Sequence, residues 1–523
     1  MIIKVLILNT NLLFKNIFKV NIFYIKMSKY IVVSGSLSGL GKGTTCACLA
    51  RSLKQLTDNT VQIIKIDPYL NVNASHMNPF EHGEVFVLED GTETDLDLGT
   101  YERFLDIGLT YENSITSGQV FLDILNSERK GEYNGKTVQL VPHFTDKVLE
   151  KIFKIKSDIV IIELGGTVGD NESYIFTEAL RQLRIKVGKE NFCGIHISYL
   201  PILEEMKTKT TQHSVRKLRE IGYEPDFIVC RCKKEMKNET KTKISNTCGV
   251  SVNNVIDMHD QKDIFDVSQM LFNQNFPQNI IKYFRLPADF SLFTSIKPII
   301  NINDNIDICI VGKYTNSCNA YLSLENSLIF AGWKNQVNVN IIWMDSENID
   351  ENKLHDVKAI IVPGGFGSGR ISGKLRAIQI ARQNKIPFLG ICFGMQLAVI
   401  EYFKNVICIE GNSTEIEPDT KIPLFYSNQD LILGNKKIIL EKDSSAYEYY
   451  KSEEINERHR HRYVFNNYYK NLLDGMKITG SSNFAEIIEI PGQWFMGVQF
   501  HPEFKSRPNK VHPLFDNLIF KAK

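Results

Sequence analysis

Short apolar runs alternate with helical stretches along most of this chain, and this alternation limits the fold more than any other feature. The runs of the first half are Tyr30–Val33, Val61–Ile66, Asp158–Glu163, Ile195–Leu200 and Phe227–Cys230. Such runs, joined by helices, are typical of a parallel sheet covered by helices. Several end in polar or glycine-rich turns, where doubly wound folds bind their ligands. We therefore expect an α/β protein with its sites at the carboxyl ends of the strands.

A second series of runs indicates a second domain. Its members are Ile306–Val311, Val337–Trp343, Ala359–Val362 and Phe388–Ile391. Between the two series, periodicity is lost in a segment with Pro287 and Pro298, which is typical of a linker. A chain of 523 residues is also too long for one core. The sequence predicts two doubly wound domains, residues 27–285 and 306–523, joined by a linker at 286–305.

The N-terminal extension, residues 1–26, is rich in Ile, Leu, Phe and Asn, but four lysines interrupt it. It therefore lacks the run of about 20 apolar residues that crosses a membrane. A transit-like peptide is one interpretation. The simpler one, which we adopt, is that folding begins near Met27 and that the extension is not part of the fold.

Charge and cysteine content narrow the classes of partner. Lys and Arg number 61 against 60 Asp and Glu, so the net charge is only +1. A nucleic-acid partner would call for a clear basic excess, and we expect none. The ten cysteines show neither a zinc nor a disulfide pattern. We therefore expect the cysteines to be reduced thiols, as in a cytoplasmic protein. We also expect no membrane partner.

The first predicted strand runs into the sequence GSLSGLGKGTT at residues 35–45. Its glycines let backbone N–H groups surround a phosphate, the following helix adds its dipole, and Lys42 adds positive charge. The match to a P-loop is incomplete, because Ser36 replaces the first glycine and Gly43 replaces the hydroxyl residue after the lysine. A flexible turn is the alternative, but the position at a strand end favours nucleotide phosphates.

Two acidic residues are candidates for the magnesium ion that usually accompanies such a loop. Asp97 lies in an acidic turn, residues 93–99, and Glu163 ends an apolar strand just before a glycine turn. Helix caps and solvated turns remain the interpretation for most neighbouring acids. Further on, the sequence KTKTTQH at 207–213 offers cations and hydroxyls before a helix, which suits a second polyphosphate. A charged surface loop explains that composition equally well.

The second half contains a more specific pattern. The sequence GICFGMQ at 390–396 follows a strand and has the form of a nucleophile elbow, which would place the Cys392 thiol as a nucleophile at the N-terminus of a helix. His501 and Glu503 would share one face of a strand, so that the carboxylate orients the imidazole. The glycine turn PGGFG at 363–367 could supply oxyanion donors. A buried structural cysteine is the alternative, but it would leave this coincidence unexplained.

These motifs resemble a known family. GICFGMQ with His501-Pro502-Glu503 is similar to class I glutamine amidotransferases, a module that fixes the nitrogen donor but not the acceptor. The segments KIDPYLN, EHGEVFV, DGTETDLDLG, ELGGTVGD and ERHRHRY begin at residues 65, 81, 90, 163 and 457 and resemble the CTP synthase family. The resemblance covers roughly residues 28–515. It implies ATP-dependent amination of UTP to CTP with ammonia from glutamine, through a 4-phosphorylated UTP.

The resemblance also implies ligands for individual residues. ATP, with Mg²⁺ on Asp97 and Glu163, would be bound by Ser38, Gly39, Leu40, Gly41, Lys42, Gly43, Thr44, Lys65 and Asp97. UTP, or CTP as feedback inhibitor, would be bound by Ser38, Asp170, Asn171, Glu172, Lys207, Thr208, Lys209, Thr210, Thr211, Gln212 and Lys243. Glutamine would be bound by Gly365, Phe393, Gly394, Met395, Gln396, Glu415 and Arg462. Cys392, His501 and Glu503 would be catalytic, and His82 would lie where ammonia arrives. The resemblance further implies a homotetramer, with nucleotide sites at subunit contacts and GTP as allosteric activator.

Some residues depart from the family pattern. The phosphate loop is one residue shorter, Thr210 replaces a usual proline, and Asn171 replaces a usual apolar residue. The family's GGTMRLG run reads NQDLILG at 428–434, so that Ile432 stands in place of an arginine associated with GTP. Two rivals remain: another P-loop amidotransferase of the cobyrinate type, and a paralogue that binds nucleotide without turnover.

Overall fold

The computed structural model describes residues 27–299, 302, 304–317, 319–367 and 369–523. Residues 1–26, predicted to be outside the fold, lie outside the described residues. The strands of the first half are β1 (Lys29–Gly35), β2 (Val61–Asp67), β3 (Phe86–Val87), β4 (Glu93–Thr94), β5 (Ser114–Thr116), β6 (Ile159–Leu164), β7 (Phe192–Tyr199), β8 (Phe227–Cys232) and β9 (Val255–His259). The helices are α1 (Lys42–Leu56), α2 (Pro79–His82), α3 (Leu96–Leu105), α4 (Ser117–Arg129), α5 (Thr145–Lys154), α6 (Asn171–Val187), α7 (Lys209–Glu220), α8 (Asn238–Cys248), α9 (Val267–Asn273) and α10 (Phe276–Phe284).

Seven of these strands form a parallel sheet in the order β5-β2-β6-β1-β7-β8-β9. Successive residues of β1 enter different cores, because side chains alternate across a sheet. Ile31 and Val33 pack in the core beneath α1, whereas Val32 joins the core of the opposite face with Phe144 and Phe176. The strands are therefore apolar on both faces, which explains their continuous hydrophobic runs.

The second half has strands β10 (Asn305–Gly312), β11 (Asn338–Asp345), β12 (Ala359–Val362), β13 (Phe388–Ile391), β14 (Asn412–Ser413), β15 (Pro423–Leu440), β16 (Glu454–Phe465), β17 (Lys477–Ser481), β18 (Ala485–Glu489) and β19 (Phe495–Val498). Its helices are α11 (Leu322–Asn335), α12 (Glu351–Asp356), α13 (Ile371–Asn384), α14 (Phe393–Tyr402), α15 (Ser445–Tyr450) and α16 (Pro513–Ala522). The sheet runs β11-β10-β12-β13-β19-β18-β17-β15-β14, with β16 beside β15.

The expected α/β class is confirmed, but the second sheet is only partly parallel. From β11 to β19 its strands are parallel. From β18 onward the pairs β18–β19, β17–β18, β15–β17 and β15–β16 are antiparallel. This antiparallel extension was not predicted from the sequence.

A buried contact between charged groups joins the two halves. Arg458 of β16 is fully buried and donates from Nη1 to the Glu102 Oε2 atom of α3 at 2.8 Å. Arg507 donates to the same carboxylate. Apolar contacts surround it, including Phe86 against Phe504 with ring centroids 5.0 Å apart. Within the described residues, no helix is long and apolar enough to span a bilayer.

Replacing Glu102 with alanine should lower the free energy of unfolding by about 3–5 kcal/mol, because two buried guanidinium groups would lose their carboxylate. Urea unfolding measures the change. Glu351→Ala is the matched control, since the Glu351–Arg376 pair is exposed and should contribute less than about 1 kcal/mol. Equal shifts in the two variants would contradict this interpretation of the interface.

Candidate active sites

The glycine-rich loop after β1 leads into α1, as expected for a phosphate-binding turn. Gly41 precedes the helix with φ of 86°, a conformation that favours glycine. The Lys42 side chain is 5% exposed, and its Nζ atom donates to the carbonyl oxygens of Leu37 and Gly166, each at 2.9 Å. Burial lowers the pKa of Lys42. An incoming anion would supply the counter-charge that these two carbonyls lack.

Gly43, where a P-loop would carry a hydroxyl residue, has a steric explanation. A Cβ atom at this position would lie 2.2 Å from Oδ1 of Asp97. Asp97 is in the first turn of α3, whose N-terminus is capped by Asp95 through the Asp97 N–H. The carboxylate thus occupies the space beside the loop that a larger residue would fill.

Lys65 of β2 lies among three carboxylates. Its Nζ atom contacts Asp97 Oδ2, and it is 3.2 Å from Glu163 Oε1 and 3.7 Å from Asp67 Oδ1. Burial disfavours the ammonium, but these carboxylates raise the pKa of Lys65 well above its usual value. Burial raises the pKa of Asp67 to about 6 even with Lys65 beside it.

This group could hold a divalent cation. The carboxylates converge where parallel strands β2 and β6 end, with Lys65 paired to Glu163 in the ladder. Burial raises the pKa of neighbouring Asp95 to about 7, with Asp97 and Asp67 contributing to the rise. Four carboxylates (Asp67, Asp95, Asp97 and Glu163) therefore face two lysines (Lys42 and Lys65) around one cavity, and oxygen ligands of this kind suit Mg²⁺.

A cavity of about 560 Å³ opens over the loop and the carboxylates. Of the residues predicted for ATP, Mg²⁺ and UTP, those that line it are Ser38, Gly39, Gly41, Lys42, Gly43, Thr44, Lys65, Asp97, Glu163, Asp170 and Glu172. His82 also lines it. In the described part of the chain, the predicted residues Leu40 and Asn171 are not among the lining residues; Leu40 is buried and Asn171 is exposed.

The other residues predicted for UTP lie apart from this cavity. Lys207 and Thr208 precede α7, and the residues up to Gln212 form its first turn. Thr208 and Thr211 are buried: Thr211 accepts a hydrogen bond from Ser198, and Thr208 accepts one from Gln212. Lys243 is on α8. Within the described residues, none of 207–212 and 243 lines the 560 Å³ cavity.

Cys392 lies at the turn between β13 and α14 with φ of 52° and ψ of −104°. A nucleophile elbow requires such a strained conformation, which exposes the side chain above the sheet. Gly394 fits beneath the turn because a Cβ atom there would be 2.0 Å from the Val362 carbonyl oxygen. The thiol contacts the Arg460 carbonyl oxygen and the Gln499 amide nitrogen, each at 3.7 Å.

His501 and Glu503 make the expected contact, with Nδ1 and Oε1 2.7 Å apart. The predicted reason for it is wrong, because β19 ends at Val498 and Pro502–Phe504 form a short 3-10 helix. Burial disfavours the imidazolium, but Glu503 and Cys392 raise the pKa of His501 to about 10. Its Nε2 atom is buried and has no hydrogen-bond partner at normal distance among the described residues, and Cys392 is the second titratable group that interacts with the ring.

The residues predicted for glutamine surround the elbow to different extents. Gly365 lines a cavity of about 130 Å³ together with Cys392, His501 and Glu503. Glu415 accepts a hydrogen bond from the Gly367 N–H at 2.8 Å, and burial raises its pKa. Phe393, Gly394, Met395 and Gln396 are buried in the first turn of α14. Arg462 is exposed on β16 and, within the described residues, does not line this cavity.

Several neighbouring residues were not predicted. Tyr101 donates to Glu163, Gln499 contacts Cys392, and Arg460 lines the smaller cavity. Only Arg460 left a sign in the sequence, since the ERHRHRY segment alternates arginine and histidine as a two-faced strand would. Arg458 and Arg460 point to the first half, whereas His459 and His461 lie near Glu486.

Hydrogen bonds explain the buried positions of His459 and His461. His461 Nδ1 lies 2.9 Å from the Tyr463 carbonyl oxygen, so it carries the proton and leaves Nε2 as acceptor. His459 Nδ1 is 3.0 Å away from that Nε2 atom. Burial lowers the pKa of His461 to about 4, so both rings are neutral hydrogen-bonded groups.

Arg370, which follows the glycine turn at 363–367, is an arginine of the second half that already has partners. It has φ of 64° and donates from Nη1 to the Lys313 carbonyl oxygen at 3.1 Å. Ion pairs with Asp345 and Glu347 measure 3.2 and 2.8 Å. This guanidinium is therefore already occupied by two carboxylates and a carbonyl oxygen.

Comparison with known proteins identifies both halves. Residues 29–286 match the family described as CTP synthase N-terminus, and residues 317–520 match glutamine amidotransferase class-I. The chain is 45% identical to the CTP synthase of Clostridium acetobutylicum over 94% of its own length and 98% of that protein. It is 44% identical to the CTP synthase of Methanocaldococcus jannaschii over the same shares. It is also similar to the solved glutaminase domain of Trypanosoma brucei CTPS with bound acivicin (32% identity, 42% of this chain and 93% of that chain, TM-score 0.40).

An elbow cysteine with its histidine and glutamate, beside a separate phosphate-loop half, defines a two-site enzyme of the glutamine amidotransferase class. Within that class, the chain belongs to the CTP synthase family.

Gly43→Ala should weaken Mg·ATP binding at least about tenfold, because the new Cβ would displace Asp97 from the loop. Calorimetric titration with Mg·ATP measures the effect. Gly369→Ala is the matched control, since a Cβ there meets no atom within 4 Å. An unchanged affinity in Gly43→Ala would exclude close packing of loop and carboxylate in the bound state.

Proposed function

We propose that this chain aminates UTP to CTP, using ATP to phosphorylate the 4-oxygen of UTP and glutamine as the source of ammonia. The observation that carries the proposal is the presence, in one chain, of a carboxylate-rich phosphate-loop cavity and a Cys392–His501–Glu503 site. Near full-length similarity to CTP synthases supports UTP as the acceptor of the nitrogen. We assign the synthase domain to residues 27–285, the linker to 286–305 and the glutaminase domain to 306–523.

In the synthase cavity, the loop N–H groups and Lys42 would bind the ATP phosphates. Asp97 and Glu163 would hold Mg²⁺, which supplies charge neutralisation at the phosphates. Lys65 would then leave the carboxylates to stabilise charge on the transferring group. Phosphorylation makes the 4-oxygen a leaving group. Ammonia then attacks the ring carbon that bears this oxygen, and phosphate is released.

UTP would contact Asp170 and Glu172 from one side. Asn171, Lys207–Gln212 and Lys243 would complete its site. Because residues 207–212 and 243 do not line the cavity, we infer that another subunit of a homotetramer completes it. CTP would compete there as feedback inhibitor. Cations on α7 and α8 suit the triphosphate, which supplies most of the charge that either nucleotide carries.

In the glutaminase site, the Cys392 sulfur attacks the side-chain carbonyl carbon of glutamine. Backbone N–H groups near Gly365 and Phe393 would stabilise the oxyanion. His501 gives a proton to the departing ammonia, so that a thioester remains, and water then releases glutamate and the thiol. Glu503 keeps the imidazole oriented and charged. Glu415, Arg462 and the residues 393–396 would position the substrate.

Ammonia would travel inside the protein. Residues 79–85 and 319–324 contribute to the walls of both cavities: His82, Asn319 and Leu322 line the larger one, and Glu84 and Tyr321 line the smaller. The two segments are joined by the Glu84 N–H and the Asn319 carbonyl oxygen at 2.9 Å. Because the two cavities share these wall segments, we infer a direct route that ends near His82.

Two variants test the proposal as a pair. Cys392→Ala should abolish CTP formation from glutamine but retain it with added ammonia, because only the nitrogen source is lost. Asp97→Ala should lose both routes, since phosphoryl transfer needs the metal whatever the nitrogen source. Absorbance change on CTP formation measures each. A native chain that binds nucleotides but forms no CTP by either route would refute the proposed function.

GTP activation should be weaker than in family members that carry the arginine. Ile432 offers no charge, so a contact worth about 1.5–3 kcal/mol would be missing, and Arg370 is tied to Asp345 and Glu347. GTP titration of glutamine-dependent CTP formation, repeated on Ile432→Arg, measures this. Strong activation at low GTP in the native chain, without gain in the variant, would contradict the role of residue 432.

A further inference from the structure

Arg460 of β16 lines the smaller cavity and contacts two residues of the segments that lead to the larger one. Its Nε atom donates to Glu93 Oε1 at 2.8 Å, and Nη2 donates to the Ser75 carbonyl oxygen at 3.2 Å. On the other side its guanidinium lies over the Phe366 ring, 5.1 Å from the centroid. Its own carbonyl oxygen faces the Cys392 thiol.

The synthase-side partners lead directly to the larger cavity. Glu93 is buried in β4, two residues before Asp95 and four before Asp97, in the segment that starts α3. Ser75 lies between Tyr69 and His82, both of which line that cavity. If Asp97 moves when Mg·ATP binds, Glu93 should therefore move with it, because only three residues separate them.

On the glutaminase side, the Arg460 side chain contacts Phe366, which belongs to the glycine turn at 363–367 that would stabilise the oxyanion. Phe366 follows Gly365 in the oxyanion turn and is half exposed, so packing on one face only limits its movement. A guanidinium stacked on an aromatic face contributes attraction and holds the ring in plane. Arg458, by contrast, pairs with Glu102 and, in the described residues, lines neither of these two cavities.

We propose that Arg460 is a positioning residue that couples glutamine hydrolysis to occupancy of the synthase cavity, through Glu93 on one side and Phe366 on the other. The inference rests on the proposed function for the identity of the nucleotides. Binding of ATP and UTP fixes the Glu93 segment, Glu93 fixes the guanidinium, and the guanidinium fixes the oxyanion turn. Coupling of this kind amounts to a differential stabilisation of one turn conformation.

The test measures glutamate release from glutamine, with and without ATP, UTP and Mg²⁺, so that its outcome does not require CTP to form. In Glu93→Gln, basal hydrolysis should stay within about twofold of the native rate, whereas the stimulation by nucleotides should fall on the order of tenfold. Arg460→Gln should lose the same stimulation. The double variant should lose no more than either single variant, because each of the three removes the same Glu93–Arg460 contact.

Ammonia-dependent CTP formation by Glu93→Gln provides a second readout, and should stay within about twofold of native. Glu351→Gln, which neutralises an exposed glutamate paired with Arg376, is the matched control and should retain full stimulation. Native stimulation in Glu93→Gln, losses that multiply in the double variant, or an equal loss of ammonia-dependent synthesis would each overturn the proposal. Failure of the native chain to make CTP from ammonia would instead refute the proposed function.

Discussion

The Glu102 carboxylate, buried between the two halves, accepts hydrogen bonds from both Arg458 and Arg507, and the positions of both sites depend on this contact. Arg458 is on β16, and its carbonyl oxygen accepts the His501 N–H at 2.8 Å. Glu102 is on α3, the helix whose first turn contains Asp97. Because an unpaired charge in the interior is costly, the two halves cannot separate without exposing these groups to water. The chemistry of each half is thereby held at a fixed distance from the other.

Most of the parallel strands could be predicted because they are apolar on both faces, but the parallel strands β5, β9 and β19 were not predicted. The segments Ala359–Val362 and Phe388–Ile391 have the predicted bounds, and most other predicted strands are extended by a few residues. The antiparallel part could not be predicted in this way. Strand β15 is mostly exposed or half-buried and carries several polar residues, so its sequence resembles a loop.

The site residues divide along the same lines. Side chains at a strand end, such as Glu163 and Cys392, are marked by the sharp change from apolar run to glycine turn. Partners brought in by the fold carry no local mark: Tyr101 is 62 residues from Glu163, and Arg460 is 367 residues from Glu93. Gly43 shows the intermediate case, because the sequence reveals the departure from a P-loop, while only the packing of Asp97 explains it.

The distance along the chain between Glu102 and its partners also bears on how the protein is made. Arg458 lies 356 residues after Glu102, and Arg507 lies 405 residues after it. At about 5–20 residues per second, a ribosome needs roughly 20 to 80 seconds to cover that interval. During this time the nascent first half carries a carboxylate, and an apolar surface around Phe86, that nothing yet covers. Its final packing is therefore a late step of synthesis, because it waits for Arg458 and Arg507 to emerge.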